Sequence, residues 1–159
     1  RNTIPVNKSV HLEEIPYCPD SCEVFERIRD MPRPAFLDSS APHAIAGRYD
    51  ILTAQPLELG LPTLETGASE QQARSFFDSL KAFHAERYRG IQPASPDIPF
   101  CGGVLGYLGY DCGNALHNIA PGDLAQRFPV TDLCAYDWCV VQDHLLRRAV
   151  LVSQPGELK

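Results

Sequence analysis

The fold is decided by Asp132-Leu-Cys-Ala-Tyr-Asp-Trp-Cys-Val-Val-Gln-Asp143 and by Leu145-Leu-Arg-Arg-Ala-Val-Leu-Val-Ser153, which follows after a single residue. Both runs are rich in the β-branched and aromatic residues that favour strands. Their short connection predicts an antiparallel hairpin, although no Asn-Gly pair marks its turn. We expect His144, the connecting residue, to lie on this turn.

Further strands and two helices are predicted on the N-terminal side of this hairpin. The helices begin after the capping residues Asp20 and Ser69, each followed three positions later by Glu or Gln, and they end before Pro32 and near Tyr88. Apolar runs bounded by turn residues predict strands over 6–12, 35–39, 47–55 and 104–108. Strands joined both by hairpins and by helical excursions indicate an α+β fold.

Composition and charge exclude several classes of partner. The chain has 159 residues, of which 44% are apolar and 21% charged, as in a soluble globular domain. Its formal net charge is −6, and no basic cluster is longer than Arg147–Arg148, so we expect no nucleic-acid-binding face. No apolar run approaches the roughly 20 residues of a membrane span, and no signal-peptide pattern is visible.

The cysteine pattern indicates a reducing compartment. Cys101, Cys134 and Cys139 lie in apolar strand-like runs, where a free thiol behaves as a small hydrophobic group. Cys18 and Cys22 are close in sequence, but no second ligand pair accompanies them, so no metal site is predicted. We therefore expect free thiols and a cytoplasmic location.

The glycine run Phe100-Cys-Gly-Gly-Val-Leu-Gly-Tyr-Leu-Gly-Tyr-Asp111-Cys-Gly113 does not have the spacing of a phosphate-binding loop. G-x-G-x-x-G is absent, and the glycines lie within an apparent strand rather than after one. Glycine in a strand usually marks a bulge or the close approach of another backbone, which we expect here. Asp111 is predicted to cap a short helix. No nucleophile motif surrounds any serine or cysteine, so no catalytic residue is assigned.

The best candidate for binding is a pair of strands, one ending in Phe-Leu-Asp-Ser39 and the next beginning Gly-Arg-Tyr-Asp50. Their connection can arrange the Ser39 hydroxyl, backbone groups and the Arg48 guanidinium around a small pocket. Such a pocket suits a zwitterion, because Arg48 or backbone N–H groups can meet a carboxylate while an acid or hydroxyl meets an ammonium group. The alternative is a structural salt bridge from Arg48 to Asp38 or Asp50.

Four motifs occur in a definite order: Phe-Leu-Asp-Ser39, Gly-Arg-Tyr-Asp-Ile-Leu-Thr-Ala-Gln-Pro56, Ile-Pro-Phe-Cys-Gly-Gly-Val-Leu-Gly-Tyr-Leu-Gly-Tyr-Asp111 and Ala-Tyr-Asp-Trp-Cys-Val-Val-Gln-Asp-His144. From about residue 20 to its end, the chain thereby resembles the N-terminal region of the chorismate-utilising enzymes of the anthranilate synthase component I superfamily. The second and fourth motifs look more like aminodeoxychorismate synthase component I, also called para-aminobenzoate synthase component I, than like anthranilate synthase.

The resemblance implies the fold and the reaction of a complete enzyme. Antiparallel sheets would pack face to face with flanking helices, and residues 1–159 would form a single N-terminal domain of a longer chain. The full-length transferase would aminate chorismate to 4-amino-4-deoxychorismate for para-aminobenzoate and folate synthesis, with ammonia from a glutamine amidotransferase subunit. Its catalytic groups and its Mg²⁺ would lie in the C-terminal domain, so the resemblance implies that this segment is inactive and holds no cofactor.

A tryptophan pocket is the family feature that maps onto this segment. Ser39 matches the serine of the first motif, and Ala46, Gly47, Arg48 and Tyr49 match the residues that close the pocket. Ala46 departs from the pattern, since a larger residue is common there. In anthranilate synthases tryptophan inhibits from this pocket, whereas some aminodeoxychorismate synthases bind it without obvious regulation.

Two alternatives stay open. The chain could be the tryptophan-sensing N-terminal domain of anthranilate synthase component I, or a free-standing amino-acid-binding regulatory module. A chorismate-binding domain downstream would favour either enzyme over the module.

Overall fold

The structure, a computed structural model, describes residues 8–92, 95–120 and 128–155. Of these residues, 21% are helical and 29% lie in strands, and the main sheets are antiparallel, which confirms the α+β class. In chain order the elements are β1 (Lys8–Ser9), β2 (His11–Ile15), α1 (Ser21–Phe25), β3 (Ala35–Leu37), β4 (Tyr49–Thr53), α2 (Glu70–Arg87), β5 (Ile91–Gln92), β6 (Gly103–Leu108), α3 (Asp111–Leu116), β7 (Thr131–Tyr136), β8 (Trp138–Asp143) and β9 (Arg148–Ser153).

The described residues fall into two compact units. Unit 1 lies within Arg1–Leu57, Gly90–Gly103 and Tyr136–Lys159, and unit 2 lies within Glu58–Arg89 and Val104–Ala135. The organisation of residues 1–159 as one domain, and the face-to-face packing of sheets, stay predictions.

Unit 1 is built on a five-stranded antiparallel sheet with the order β2-β9-β8-β4-β3. β8 and β9 form the predicted hairpin, in which Asp143 pairs with Arg148 beside the turn. β8 also pairs with β4, which places Tyr49 opposite Asp143. The hairpin is confirmed, but the first predicted run is not one strand: it breaks at Asp137, close to the point where the chain passes from unit 2 to unit 1.

Strand β8 is buried on both faces, which explains its continuous apolar run. Cys139 and Val141 belong to a core cluster on one face, whereas Val140 packs with Leu52 in the cluster on the other face. Successive side chains of a strand point to opposite faces, so a central strand that is covered on both sides needs apolar residues at consecutive positions.

Helix α1 is shorter than predicted. Asp20 caps it as expected, because its carboxylate accepts a hydrogen bond from the Cys22 N–H at 2.9 Å. The α-helix ends at Phe25, and tighter turns continue the chain, as where the Ile28 N–H donates to the Phe25 carbonyl at 2.9 Å. These turns keep Ile28 in the core. Because they share the apolar spacing of a helix, the sequence pattern predicts a longer one.

Unit 2 is organised around α2, whose capping box is confirmed. The Ser69 N–H donates to Gln72 Oε1 at 2.8 Å, and the Gln72 N–H donates to Ser69 Oγ at 3.3 Å. The buried face of the helix, Ala73 and Phe76, packs in a core that includes Cys112 of α3. Local signals therefore set the start of this helix, and its apolar face sets its position.

The glycine run makes the close backbone approach that its place in a strand predicts. A Cβ added at Gly106 would collide with the carbonyl of Asp132, which lies in the paired strand β7. Gly106 also has a φ of +155°, a backbone conformation that other residues rarely adopt. Its role is therefore to let β6 and β7 approach each other.

The expected cap of the short helix after the glycine run is wrong, and two other predicted segments lie largely or partly outside the described residues. Asp111 does not cap α3, because the helix begins at Asp111 itself and its carboxylate accepts a hydrogen bond from Asn114 Nδ2 at 2.8 Å. An acidic residue in the first turn is favoured by the helix dipole. The predicted loop 121–129 lies outside the described residues except for its last two positions, and so does the start of the predicted strand 6–12.

Candidate functional site

The predicted site residues lie in unit 1, around the loop that joins β3 to β4. Ser39 and Gly47 come together at the base of this loop, where a Cβ on Gly47 would lie only 2.6 Å from the Ser39 carbonyl oxygen. Ala46 is exposed on the loop, and Tyr49 begins β4. The Arg48 guanidinium lies over the Tyr49 ring, 4.5 Å from its centre. Glycine at position 47 is therefore needed for the loop to close.

Arg48 forms a salt bridge, but its partner is neither of the two aspartates expected from the sequence. Its Nη2 donates to Asp143 Oδ2 at 2.7 Å, and its Nε donates to both carboxylate oxygens at 3.1 Å. Asp38 and Asp50 are close to Arg48 in sequence, whereas Asp143 is 95 positions away. The pairing of β4 with β8 brings Asp143 to this place.

Asp143 is a buried carboxylate whose negative charge is well supported. Burial by itself raises its pKa, but the hydrogen bonds from Arg48 and from the N–H groups of Leu146 and Leu145 outweigh this effect and lower the pKa below the ordinary value. The same carboxylate therefore closes the β8–β9 turn and neutralises Arg48.

Ser39 is bonded to Asp50, a buried residue of β4. The Ser39 N–H and the Ser39 hydroxyl both donate to Asp50 Oδ1, at 2.8 and 2.9 Å. Asp50 is only 4% exposed. The antiparallel pairing of β3 with β4 places the end of one strand beside the start of the other, so these two residues meet across the base of the loop.

His144 lies on the β8–β9 turn, as predicted, but the burial of its side chain was not predicted. The side chain is only 11% exposed and faces inward. Nε2 lies 2.8 Å from Asp50 Oδ2, and Nδ1 lies 2.9 Å from the Tyr17 hydroxyl. A ring with hydrogen on Nε2 satisfies both contacts, because it donates to the carboxylate and accepts from Tyr17.

Ser21 and Gln142 complete the contacts around Asp50. Gln142, fully buried in β8, donates through Nε2 to Ser21 Oγ at 2.7 Å and accepts from the Cys18 N–H at 3.0 Å. Ser21 in turn bonds Asp50. We call the connected side chains the polar network, which consists of Tyr17, Ser21, Ser39, Asp50, Gln142 and His144.

The polar network keeps Asp50 ionised. Burial raises its pKa, but hydrogen bonds from Ser21, from the N–H and hydroxyl of Ser39, and from His144 outweigh burial and lower the pKa below the ordinary value of an aspartate. A buried carboxylate with this many donors is a fixed negative charge at neutral pH.

The polar network contains serine, histidine and aspartate but does not have the geometry of a catalytic triad. In a triad, the serine and the carboxylate bond opposite nitrogens of the imidazole. Here Ser21 Oγ, at 3.5 Å, and Asp50, at 2.8 Å, both face Nε2 of His144. The histidine therefore has no free nitrogen with which to activate the serine, and the arrangement is suited to holding positions and charge.

The sequence carries one signal that could have located these residues. Gln142, Asp143 and His144 form a polar triplet at the end of an apolar strand, and all three are involved in long-range hydrogen bonds.

The three cavities described in the structure lie in unit 2, and none is lined by a predicted site residue. Among the described residues, no group of three or more His, Cys, Asp or Glu side chains could hold a metal ion.

All six cysteines are free thiols, and the two most buried have pKa values above the ordinary one because burial disfavours the thiolate. For Cys139 the pKa is raised to about 12.

Within the part of the chain that is described, no helix has both the length and the apolar character needed to cross a membrane.

Comparison with known proteins identifies relatives but no matching protein-family model. The chain is 32% identical over 148 residues to aminodeoxychorismate synthase component 1 of Klebsiella aerogenes, which covers 87% of this chain and 32% of that protein. It is 31% identical over 151 residues to the protein of the same name from Salmonella typhimurium, with the same coverage. With the one from Escherichia coli it shares 33% identity over 137 residues, or 81% of this chain and 30% of the relative.

These relatives confirm the resemblance that the four motifs indicate. The chain spans about a third of the length of the curated relatives it matches. Over this shared segment, the chain is similar to the aminodeoxychorismate synthase component 1 proteins.

Proposed function

We propose that this chain is the N-terminal, non-catalytic domain of an aminodeoxychorismate synthase component I. The complete transferase would aminate chorismate to 4-amino-4-deoxychorismate, on the route to para-aminobenzoate and folate. The observation that carries the proposal is the similarity of 87% of the chain to about a third of proteins with this activity in their name. The polar network, which holds positions and lacks the geometry of a triad, supports a non-catalytic role.

The rest of the proposed enzyme would supply what this segment does not. Chorismate, Mg²⁺ and the groups that react would be held by the remaining two thirds of the protein. Ammonia would come from a glutamine amidotransferase subunit, a partner that fits the term "component 1" in the names of the relatives. A cytoplasmic location is supported by the six free thiols.

The product of the full-length protein tests this proposal. We expect chorismate and ammonia with Mg²⁺ to yield 4-amino-4-deoxychorismate, which lacks the direct fluorescence of anthranilate. The 159-residue segment alone should yield no product under the same conditions. Anthranilate as the product would transfer the chain to the anthranilate synthases, and amination by the segment alone would refute a non-catalytic role.

We also propose that Ser39, Ala46, Gly47, Arg48 and Tyr49 contribute to an amino-acid pocket that accepts tryptophan. Support comes from the closed loop base, where Ser39 and Gly47 meet, and from Arg48 and Tyr49 beside it. Calorimetric titration of the full-length protein with L-tryptophan should give binding that is weakened by Ser39→Ala. Identical heats for the wild type and the variant would remove Ser39 from the site.

A further inference from the structure

We infer that a groove in unit 2 binds a small aromatic carboxylate. The groove is a cavity of about 450 Å³, a size typical of small-molecule sites. We call it the α2–β6 groove, and its lining consists of Leu80, Lys81 and His84 of α2, Val104, Gly106 and Leu108 of β6, and Leu133 of β7. All of these residues belong to unit 2, so the groove is separate from the amino-acid pocket proposed in unit 1.

The walls of the groove are apolar because of the residue pattern of β6. Val104, Gly106 and Leu108 are alternate residues of this strand, so they lie along one of its faces. Gly106 has no side chain, and the backbone is therefore exposed between Val104 and Leu108. Leu80 and Leu133 add further aliphatic surface. The groove thus offers apolar contacts on both sides of an open stretch of backbone.

Lys81 and His84 provide the polar end of the site. They are three positions apart on α2, so they lie on the same side of the helix. The His84 ring lies against Tyr88, with 5.1 Å between the ring centres. No Asp or Glu is among the described residues that line the groove, and none of the ion pairs between described residues includes Lys81. The Lys81 ammonium group can therefore pair with the carboxylate of a ligand.

The other two cavities described in the structure lack this combination of charge and apolar walls. The lining of one includes Glu65 together with several hydroxyl groups, and the lining of the other includes Asp111 beside the amides of Asn114 and Asn118. An acidic side chain in the lining repels an anion. Of the three cavities, the α2–β6 groove is therefore the one that suits an apolar anion.

The shape of the groove favours a flat ring over a flexible chain. A ring can lie against the exposed backbone of Gly106, from which no side chain projects. A fused ring also loses no internal rotation on binding, whereas each bond of an alkyl chain must be ordered. We therefore expect the apolar part of the ligand to be aromatic.

Three probes test the class of ligand in calorimetric titrations of the full-length protein at neutral pH. 2-Naphthoate has a flat ring system and a carboxylate, 2-naphthamide has nearly the same shape without the charge, and octanoate has the carboxylate on a flexible chain. We expect 2-naphthoate to bind, and each of the other two to bind about tenfold more weakly.

The variant Lys81→Met tests the proposed cation at an exposed position of α2. It should weaken 2-naphthoate about tenfold and leave 2-naphthamide unchanged, because only the former has a charge to pair. Arg87→Met is the matched control, since it removes a positive charge from the same helix at a residue outside the lining of the groove. It should leave both affinities unchanged.

The variant Leu108→Ala tests where the probes bind. It removes part of the apolar wall and should weaken 2-naphthoate and 2-naphthamide alike, by about threefold. Leu59→Ala, at a similarly exposed leucine of unit 2 outside the groove, should change neither affinity. Leu108 and Lys81 are both exposed, so we expect both variants to fold, which circular dichroism checks.

Several outcomes would overturn the inference. They are binding of 2-naphthamide or octanoate as tightly as 2-naphthoate, equal weakening by Lys81→Met and Arg87→Met, an unchanged affinity in Leu108→Ala, and no binding of 2-naphthoate to the wild type. The product assay with chorismate uses none of these probes, so failure of this inference and failure of the proposed enzyme can be told apart.

Discussion

Units 1 and 2 bury different kinds of side chain. Of the six buried polar residues among those described, five belong to unit 1 and only Thr131 belongs to unit 2. Of the ten large hydrophobic residues that are exposed, six belong to unit 2: Leu59, Tyr107, Leu108, Tyr110, Ile119 and Phe128. Unit 1 keeps polar groups inside by satisfying their hydrogen bonds, whereas the core of unit 2 is a helix-centred apolar cluster.

The candidate site of unit 1 depends on contacts between residues that are distant in sequence, whereas local signals determine much of the structure of unit 2. In unit 1, strands distant in sequence bring Arg48 to Asp143 and Asp50 to His144, so the candidate site depends on correct pairing of β4 with β8. In unit 2, a capping box and the small size of glycine determine the local structure. We therefore expect substitutions to disturb the two units in different ways.

The largest decrease in the free energy of unfolding is expected when an apolar core residue near the candidate site is truncated. Leu52, in β4, is fully buried, and Leu52→Ala should lower the free energy of unfolding by about 2–5 kcal/mol through lost burial and a residual cavity. Urea unfolding with hydrogen exchange of the β4 and β8 amides measures this change. The control Leu145→Ala, at a side chain that is 70% exposed, should stay within about 0.5 kcal/mol. Equal effects would contradict the central position of β4.

In unit 2 the position expected to be most sensitive to substitution is Gly106, whose backbone lies against the Asp132 carbonyl. Gly106→Ala should lower the free energy of unfolding by about 1–3 kcal/mol, because the new Cβ meets the Asp132 carbonyl and the positive φ disfavours alanine. Gly113→Ala is the matched control, since a Cβ at this position would have nothing within 4 Å of it and a helical alanine should stabilise by about 0.5–1 kcal/mol. Similar melting temperatures for the two variants would refute the close approach of β6 and β7.

The pH dependence of stability is a third test, and it concerns unit 1. The pKa of Asp143 is lowered in the folded state, so its stabilising contribution is present above its unfolded pKa and is lost as the pH falls below about 4. Asp143→Asn should therefore reduce the loss of stability between about pH 7 and pH 3, measured by urea unfolding. The exposed control Asp30→Asn should keep the wild-type slope, and an unchanged slope in Asp143→Asn would show that this carboxylate titrates normally.

The smallest effect is expected at the start of α2. Ser69→Ala removes the side-chain half of the capping box and should cost about 1 kcal/mol of stability. Ser75→Ala, at an exposed position within the same helix, should cost nothing because alanine is the better helix former. Thermal unfolding followed by circular dichroism measures both, and a harmless Ser69→Ala would mean that packing of the apolar face alone sets the helix start.

Sequence patterns predict what is local in this molecule. The start of α2, the β8–β9 hairpin and the close approach at the glycines all follow from residues a few positions apart. The α+β class follows from the order of these elements. The length of α1 is missed because a series of tighter turns has nearly the apolar spacing of a helix.

What depends on strand pairing could not be predicted. Arg48 bonds Asp143 rather than a neighbour in sequence, and the side chain of His144 is buried although the residue lies on the turn. Both result from the particular register in which β4 and β8 pair. Ser39 is a candidate from the strand–loop–strand pattern, whereas Gly47 enters the candidate site through the resemblance to a family. Spacing suggests that they are close, but it does not reveal that Asp50 takes the only hydroxyl hydrogen of Ser39.

The contact between Gly47 and Ser39 has a consequence for how the loop between them can vary. Asp50 holds Ser39 and the Ser39 carbonyl packs against Gly47, so the two ends of the loop are joined by residues outside 40–46. The cost of closing a loop rises only slowly with its length. At the fully exposed Ile45, insertions or an attached reporter group should therefore be tolerated while β3 and β4 keep their pairing.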